Sequence, residues 1–245
     1  DVVYSISHYL KVKTVLLVGG TSVDENKKQI MKQKPQLVVG TPGRVHDIIR
    51  RRLLNVNTLR LLVLDEADEM LSSGFKEQMG QILQYMPEDI QIGLFSATLP
   101  DELTAITNTF MRNPIKILVK NEELTLQGIS QYFVNLNDDS EKYDTLKDIF
   151  ATLTISQSII YCNSTRRVDD LEEAMLEDNF PVKKIHGKMT SDERKKTTKD
   201  FKSGSCRVLI TSDLFSRGID VQQVSVVINF DIPKNEFTYL HRIGR

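Results

Sequence analysis

The sequence Leu61-Leu62-Val63-Leu64-Asp65-Glu66-Ala67-Asp68 decides the fold, because four aliphatic residues run directly into three carboxylates. Such an uninterrupted aliphatic run predicts a strand that is buried on both faces of a parallel sheet. Open parallel sheets bind their ligands at the carboxyl ends of the strands, where the carboxylates stand. In nucleotide-hydrolysing folds this position holds a magnesium-binding carboxylate and a neighbour that orients the attacking water. The alternative is an ordinary solvated acidic turn.

Length and composition favour two soluble domains. The chain has 245 residues, of which 40% are hydrophobic and 27% are charged, and this length exceeds one average domain. The sequence shows neither an apolar run of membrane length nor a signal peptide, so we expect a cytoplasmic location, or a nuclear one, and no membrane partner. Cys162 and Cys206 are too few for a disulfide framework or a thiolate metal site, and we expect both to be buried apolar side chains.

The charge balance limits how the chain can bind nucleic acid. It has 32 Lys and Arg against 33 Asp and Glu, for a net charge of −1. Bulk electrostatic attraction to a polyanion needs a basic face, which this composition does not guarantee. Any binding to nucleic acid is therefore expected to come from local backbone amides, hydroxyls and a few arginines.

Short apolar strands alternate with amphipathic segments along the chain, which predicts βα units on parallel sheets. The predicted strands are residues 14–18, 37–39, 61–64, 90–95, 115–119, 130–135, 158–161, 182–185, 208–211 and 224–229. The polar segment 121–128 breaks the alternation and is predicted to be a linker. The predicted domains are residues 1–120 and 129–245.

Two polar motifs follow predicted strands in the first half. In Thr41-Pro42-Gly43-Arg44, Thr41 suits a helix N-cap and Pro42 the first helical position. The adjacent arginine and the helix amides can hold a nucleic-acid phosphate, but the same residues can form an ordinary cap. Ser96 and Thr98 end the next strand at the same sheet edge as Asp68, where their hydroxyls can bond to that carboxylate or cap a loop.

The second half carries three further motifs. Thr190 and Glu193 predict a capping box, and Gly204 predicts that the helix stops after Phe201. Arg194 lies in the first turn of this helix, where it can contact a phosphate. The segment 211–220 begins with hydroxyls that suit a phosphodiester and ends at an aspartate that can accept from a ribose, or it is simply a polar loop.

The segment 241–245 places two guanidiniums and an imidazole within five residues. Arginine at a domain edge is suited to stabilise the charge on a transferring phosphoryl group. The alternative is a solvated basic tail.

Together, in this order and at these separations, the motifs resemble the DEAD-box family of ATP-dependent RNA helicases. The matching segments are 19–20, 41–44, 65–68, 96–98, 159–163, 186–194, 211–220 and 241–245. Segments 65–71, 122–126 and 217–224 are similar to the translation-initiation members of the family and their close nuclear relatives. Ser191 and Ser216 depart from the family, which usually has glutamine and alanine there.

The resemblance implies an α/β fold of two RecA-like parallel-sheet lobes, joined by a short linker, that close on RNA and ATP together. It implies RNA-stimulated ATP hydrolysis coupled to local duplex unwinding, with translation initiation as the cellular setting. It also implies that RNA is bound through its backbone without sequence readout, that a helical-repeat scaffold of the initiation complex is a further partner, and that the protein is a monomer.

The resemblance also assigns roles to residues. Asp65 would hold Mg²⁺ through water, Glu66 would orient the hydrolytic water, and Arg245 would approach the γ-phosphate of ATP. The residues that would bind the nucleotide or couple it to lobe closure are Asp68, Ser96, Thr98, Arg217, Asp220, His241 and Arg242. The residues that would lie along the RNA backbone are Gly20, Thr41, Gly43, Arg44, Asn163, Arg194 and Thr211.

The phosphate-loop sequence Gly-x-x-x-x-Gly-Lys-Ser/Thr does not occur in the chain, and Gly187-Lys188 is followed by Met189. By resemblance, this loop would lie upstream of Asp1 and the final arginine of the last motif beyond Arg245. We therefore expect both lobes to be truncated and the chain by itself to hydrolyse ATP negligibly. The alternative is a shortened, non-hydrolysing module that binds RNA or a scaffold. A DNA helicase or nuclease of the wider superfamily is disfavoured by segments 65–68 and 241–245.

Overall fold

The computed structural model describes residues 2–72, 75–98, 101–118, 128–213 and 223–244. The chain divides into two compact units, Asp1–Ile117 and Leu118–Arg245. The predicted linker, residues 121–128, lies almost wholly outside the described residues, so its bounds stay a prediction. Among the described helices, none has the length and apolar character needed to cross a membrane.

The first unit contains two separate pairs of parallel strands. β1 pairs with β2, and β3 pairs with β4 so that Leu61 lies beside Gln91. Its elements in chain order are α1 (Val2–Ile6), a 3-10 turn (His8–Leu10), β1 (Thr14–Leu17), α2 (Val23–Gln33), β2 (Leu37–Gly40), α3 (Pro42–Arg50), β3 (Leu61–Leu64), α4 (Ala67–Ser72), α5 (Lys76–Gln84), β4 (Gln91–Leu94) and α6 (Asp101–Phe110).

The prediction that residues 61–64 are buried on both faces is wrong. Leu64 is buried against Met79 of α5 and Leu103 of α6, whereas Leu61 and Val63 are each 52% exposed. Side chains alternate between the two faces of a strand, and α5 and α6 pack on the face that Leu64 occupies. An unbroken aliphatic run therefore does not guarantee that both faces are covered.

Two predicted strands do not form. The described part of residues 115–119 and all of 130–135 have no strand structure, and Ile115, Ile117, Tyr132 and Phe133 are each at least 90% exposed. Apolar and β-branched residues favour a strand, but a strand also needs a neighbour to which its amides and carbonyls can bond. None of the described strands pairs with either segment.

The second unit is built on one four-stranded parallel sheet, with strand order β6-β7-β5-β8. Parallel neighbours need a crossover connection, and helices supply it here. Its elements in chain order are α7 (Glu141–Thr152), β5 (Ser158–Tyr161), α8 (Thr165–Glu177), β6 (Val182–Ile185), α9 (Ser191–Lys202), β7 (Val208–Thr211), β8 (Val226–Asn229) and α10 (Glu236–Ile243).

The central strands β5 and β7 are buried along their whole length. On one face, Ile160 packs with Leu171 of α8, and on the other Ile159 packs with Phe201 of α9. The two cysteines are buried as predicted. Burial, followed by the nearby Asp231 carboxylate, raises the pKa of Cys162 to about 12.

The predicted start and stop of α9 are confirmed. The Thr190 hydroxyl accepts from the Glu193 amide, and the Glu193 carboxylate accepts from the Thr190 amide at 2.8 Å. Gly204 has a φ of +76°, which glycine adopts without strain just after a helix end.

Candidate functional site

The turn after β3 presents the first two carboxylates. The Phe95 amide donates to the Leu64 carbonyl at 2.8 Å, and the Ala67 amide donates to the Phe95 carbonyl at 3.1 Å, so the ladder between β3 and β4 continues past both strands. Glu66 has a φ of +52°, which is uncommon for a residue with a side chain. This conformation places an exposed Asp65 and a half-buried Glu66 at the carboxyl edge of the sheet.

Asp68 turns inward and binds the hydroxyls that follow β4. The Thr98 hydroxyl donates to the Asp68 carboxylate at 2.7 Å, and the Asp68 amide donates to the Ser96 hydroxyl at 3.2 Å. Asp68 and Thr98 are each only 5% exposed. Hydrogen bonds to a charged acceptor in a buried site are strong, so the ends of β3 and β4 are joined here, as the sequence predicts.

The chemistry of this edge fits a hard cation at Asp65. Mg²⁺ prefers carboxylate oxygens and retains several of its waters, and the exposed Asp65 carboxylate offers such oxygens to solvent. One Asp65 oxygen accepts from the Glu66 amide at 3.0 Å, which fixes the direction of the carboxylate.

A second polar cluster lies at the carboxyl edge of β1 and β2. The Thr41 amide donates to the Leu17 carbonyl at 2.9 Å, which places the start of α3 beside the turn at Gly20. Arg44 donates to the Thr21 hydroxyl at 2.9 Å and to the Asn26 side-chain oxygen at 2.6 Å. The guanidinium is therefore held in one direction.

Two glycines leave the backbone of this cluster open. Gly20 has a φ of +78°. Apart from the adjacent backbone, no heavy atom of the described residues lies within 4 Å of where a Cβ would stand at Gly20 or Gly43. Thr21 and Asn26, which orient Arg44, were not predicted. Asn26 is 2% exposed on α2, but nothing in its sequence context distinguishes it from the solvated residues around it.

In the second unit, Asn163 is held by its own fold. Its side-chain amide donates to the Ile232 carbonyl at 2.8 Å, and its side-chain oxygen accepts from Arg242 at 2.8 Å. Its backbone amide donates to Asp231 at 3.0 Å. Asn163 is exposed just beyond β5 and its side-chain groups already have partners, so its contact with RNA stays a prediction.

Arg242, predicted to bind the nucleotide or to couple it to lobe closure, is fully buried. Its side chain is 0% exposed. The guanidinium donates to Asp213 at 2.6 Å, to the Asp231 carbonyl at 2.8 Å and to Asn229 at 3.3 Å, in addition to Asn163. A guanidinium with these acceptors positions the strand ends of the second unit, and a coupling role for Arg242 stays a prediction.

Thr211 is buried as well, and its predicted role in RNA binding stays a prediction. Its side chain is 0% exposed, and its hydroxyl donates to the carbonyls of Ile185 and Ser212, each at 2.9 Å. The hydroxyl thus bridges the ends of β6 and β7 and presents no exposed atom to a phosphodiester.

A charged centre at Asp231 was not predicted. Asp231 is 8% exposed, and lies 3.0 Å from the Lys142 ammonium and 2.9 Å from the Arg167 guanidinium. Partial burial lowers the pKa of Lys142, but hydrogen bonds to Asp139 and Asp231 outweigh burial and raise it. Asp231 lies two residues after the end of β8, which is the only signal that could have found it.

The remaining predicted site residues fall into two groups. His241 lies on α10 with its side chain buried, and Arg194 lies half-buried in the first turn of α9. Arg217, Asp220 and Arg245 lie outside the described residues, so their roles stay predictions.

Comparison with known families divides the chain as the two units do. Residues 1–106 match the DEAD/DEAH box helicase family, and residues 141–245 match the helicase conserved C-terminal domain. The eukaryotic initiation factor 4A of Drosophila melanogaster is 50% identical over 244 residues, and that of Caenorhabditis elegans is 49% identical. Each alignment covers 100% of this chain and 60% of the relative, so the chain spans about three fifths of these relatives' length.

Solved structures agree with this assignment. S. cerevisiae Dbp5 bound to RNA and ADP BeF3 has a TM-score of 0.89 at 31% identity, covering 100% of this chain and 63% of that one. Mss116p bound to ssRNA and AMP-PNP has a TM-score of 0.82 at 26% identity, covering 99% of this chain and 52% of that one. The two units are therefore RecA-like helicase domains, and the chain belongs to the DEAD-box helicase family.

Proposed function

We propose that this chain supplies most of the catalytic core of an ATP-dependent RNA helicase that acts in translation initiation. The observation that carries the proposal is the arrangement of carboxylates at the end of β3. Asp65 is exposed and Glu66 is half-buried, and the buried Asp68 accepts a hydrogen bond from the Thr98 hydroxyl. Support also comes from relatives about 50% identical that are named initiation factor 4A, and from a similar structure that holds RNA with ADP BeF3.

On the nucleotide side, Asp65 would hold Mg²⁺ through water. Such an ion neutralises charge that develops on the phosphate oxygens of ATP. Glu66, half-buried and fixed by its left-handed backbone, would orient the attacking water and accept its proton.

Coupling would pass through the buried contact between Asp68 and Thr98. A displacement of the turn after β3 displaces the end of β4, because the hydroxyl and the carboxylate lie 2.7 Å apart in a buried site. His241 and Arg245, on the second unit, would move toward the nucleotide when this displacement occurs. The family resemblance supports these two roles.

On the RNA side, Arg44 would bind a phosphate, because Thr21 and Asn26 fix its guanidinium beside the open backbone of Gly20. Arg194 and the backbone at Asn163 would supply the matching contacts from the second unit. Contacts to phosphates and sugars fix position and carry no sequence information. We further propose that the protein is a cytoplasmic monomer with a helical-repeat scaffold partner.

Strand displacement tests the proposal. The chain would be completed with the unmatched segments of the Drosophila melanogaster relative, and given a short RNA duplex with and without ATP. We expect ATP-dependent displacement that shows little preference for sequence and weakens as salt rises. Displacement that requires one RNA sequence, or that proceeds equally without ATP, would contradict the proposal.

A further inference from the structure

A groove lined by basic side chains runs along α9 beside the end of β6, and none of the predicted roles uses it except at one end. The groove has a volume of about 760 Å³, and Ile185 of β6 is one of its lining residues. Four cationic side chains and several hydroxyls line it, among them Arg194, Lys195, Lys199, Lys202, Ser191 and Thr198.

The groove is basic because the acids of α9 are committed elsewhere. Glu193 is bonded to Thr190 in the capping box, and Asp200 is paired with Lys183 on β6. Asp192 is paired with Lys195 at 3.5 Å, but both side chains are largely solvated, so this pair is weak. None of the described residues that line the groove carries a carboxylate.

Three of the cations are available to a ligand. Lys199 and Lys202 are exposed and form no ion pair with any residue in the described ranges. The Arg194 Nε is buried and has no hydrogen-bond acceptor within the part of the chain that the structure describes. A buried donor without a partner costs free energy.

The spacing of the lysines matches a phosphate chain. Lys202 lies seven positions after Lys195, which is about 10 Å along a helix axis. Each strand of a duplex carries one phosphate per about 3.4 Å of axis. A single strand is more extended, so the stripe spans at most about three nucleotides. The groove begins at Arg194, which is the residue of α9 expected to touch the RNA backbone.

We propose that Lys195, Lys199 and Lys202 form a sequence-independent binding track that extends the RNA path from Arg194 along α9. This inference rests on the proposed RNA-binding function and deepens it. The track would hold sugar-phosphate backbone through lysine charge, with Ser191 as a neutral hydrogen-bonding neighbour. The Thr198 hydroxyl donates to the Arg194 carbonyl at 2.7 Å, so it can only accept from a ligand. It would add affinity without reading bases.

The test is fluorescence anisotropy of the 245-residue chain with a labelled 12-nucleotide oligouridine over a series of salt concentrations. Lys199→Gln removes one charge from the groove, and Lys196→Gln removes one from an exposed position of the same helix outside it. For Lys199→Gln we expect weaker binding and a fall of about 0.7 in the slope of log affinity against log salt. For Lys196→Gln we expect no change in slope.

The double variant Lys199→Gln/Lys202→Gln should lower the slope by about 1.4. Equal slopes for Lys199→Gln and Lys196→Gln, with RNA binding retained by the unaltered chain, would overturn the track and leave the proposed function standing. If the unaltered chain does not bind the oligouridine at all, both the track and the proposed function are contradicted. A labelled polyglutamate peptide that binds in a Lys199-dependent way, and is not displaced by oligouridine, would assign the groove to an acidic protein instead.

Discussion

The two units share a parallel βα plan but differ in how completely their strands are covered. In the second unit, every residue of β5 and β7 is buried between helices on both faces. In the first unit, Leu61 and Val63 of β3 are each about half exposed to solvent. Apolar area removed from water is the main source of stability, so we expect the second unit to be the more stable of the two.

The units also differ in the polar residue that joins their strand ends. The first unit buries a carboxylate, Asp68, with a hydroxyl donor, whereas the second buries a guanidinium, Arg242, with four acceptors. The larger network ties together more elements. The buried polar group of the second unit is therefore the more costly one to remove.

Arg242→Met should produce the largest effect. It leaves the Asn163 side-chain oxygen and the Asp231 carbonyl without a donor that now reaches them at 2.8 Å. Breaking a buried charged network in this way costs about 3 kcal/mol or more. Hydrogen exchange in urea should show the loss in β5, β8 and α10 and no loss in the first unit.

The matched control is Arg50→Met, because Arg50 is a largely exposed arginine that is paired with Asp47 at 3.0 Å. An exposed pair contributes about 1 kcal/mol or less. Similar losses for the two variants would show that burial of Arg242 does not stabilise the second unit.

Thr98→Val should have the next largest effect, and it should be confined to the first unit. The change keeps the shape of the side chain but removes the donor that lies 2.7 Å from Asp68. A hydrogen bond to a charged group contributes about 2 kcal/mol. Thr109→Val, which removes an exposed hydroxyl bonded to a carbonyl of its own helix, should be nearly neutral. Equal free energies of unfolding in urea for Thr98→Val and Thr109→Val would show that the Thr98 hydroxyl does not stabilise the first unit.

A smaller, pH-dependent effect is expected at the capping box of α9. Hydrogen bonds from the Thr190 hydroxyl and amide lower the pKa of Glu193 below its ordinary value of 4.5. A lowered pKa means that the stabilisation is complete above pH 4.5 and is lost as the pH falls through the lowered value. Exchange protection in the first turn of α9 should therefore be higher than in Glu193→Gln at pH 7, and equal to it at acidic pH.

Asp192→Asn serves as the control, since Asp192 is an exposed acid of the same turn outside the box. In Asp192→Asn, exchange protection in the first turn of α9 should fall with decreasing pH in the same way as in the unaltered chain. A constant difference between the unaltered chain and Glu193→Gln at all pH values would contradict the assignment.

The smallest expected signal is the reactivity of Cys162. Burial raises the pKa of this thiol to about 12, and the thiolate is the reactive form. Iodoacetamide at pH 8 should label Cys162 only when the second unit opens, so labelling should be slow and should accelerate in Arg242→Met. Rapid labelling of the folded chain would show that the second unit is less closed than its buried strands indicate.

The sequence predicted the features that depend on local chemistry. The starts of α3 and α9 were found because Pro42 and the pair Thr190 and Glu193 satisfy helix ends by themselves. Strands 115–119 and 130–135 were predicted wrongly because pairing depends on a neighbour elsewhere in the chain. The joint between Asp68 and Thr98 was found because both residues follow strands that end at one sheet edge.

Burial is what the sequence could not predict. Arg242 and Thr211 belong to motifs with expected ligands, yet both are 0% exposed. Asn26 and Asp231 orient charged neighbours from positions that resemble ordinary surface residues in sequence. Whether a polar side chain faces solvent or a partner is set by packing between elements that lie far apart in the chain.

The most direct test concerns Glu66. In the chain completed with the unmatched segments of the Drosophila melanogaster relative, RNA-stimulated ATP hydrolysis would be measured for the unaltered protein and for Glu66→Gln, together with ATP-dependent retention of RNA. We predict that Glu66→Gln abolishes hydrolysis and leaves ATP-dependent RNA retention intact. Hydrolysis that persists in Glu66→Gln would contradict the assignment of the turn after β3 as the catalytic edge.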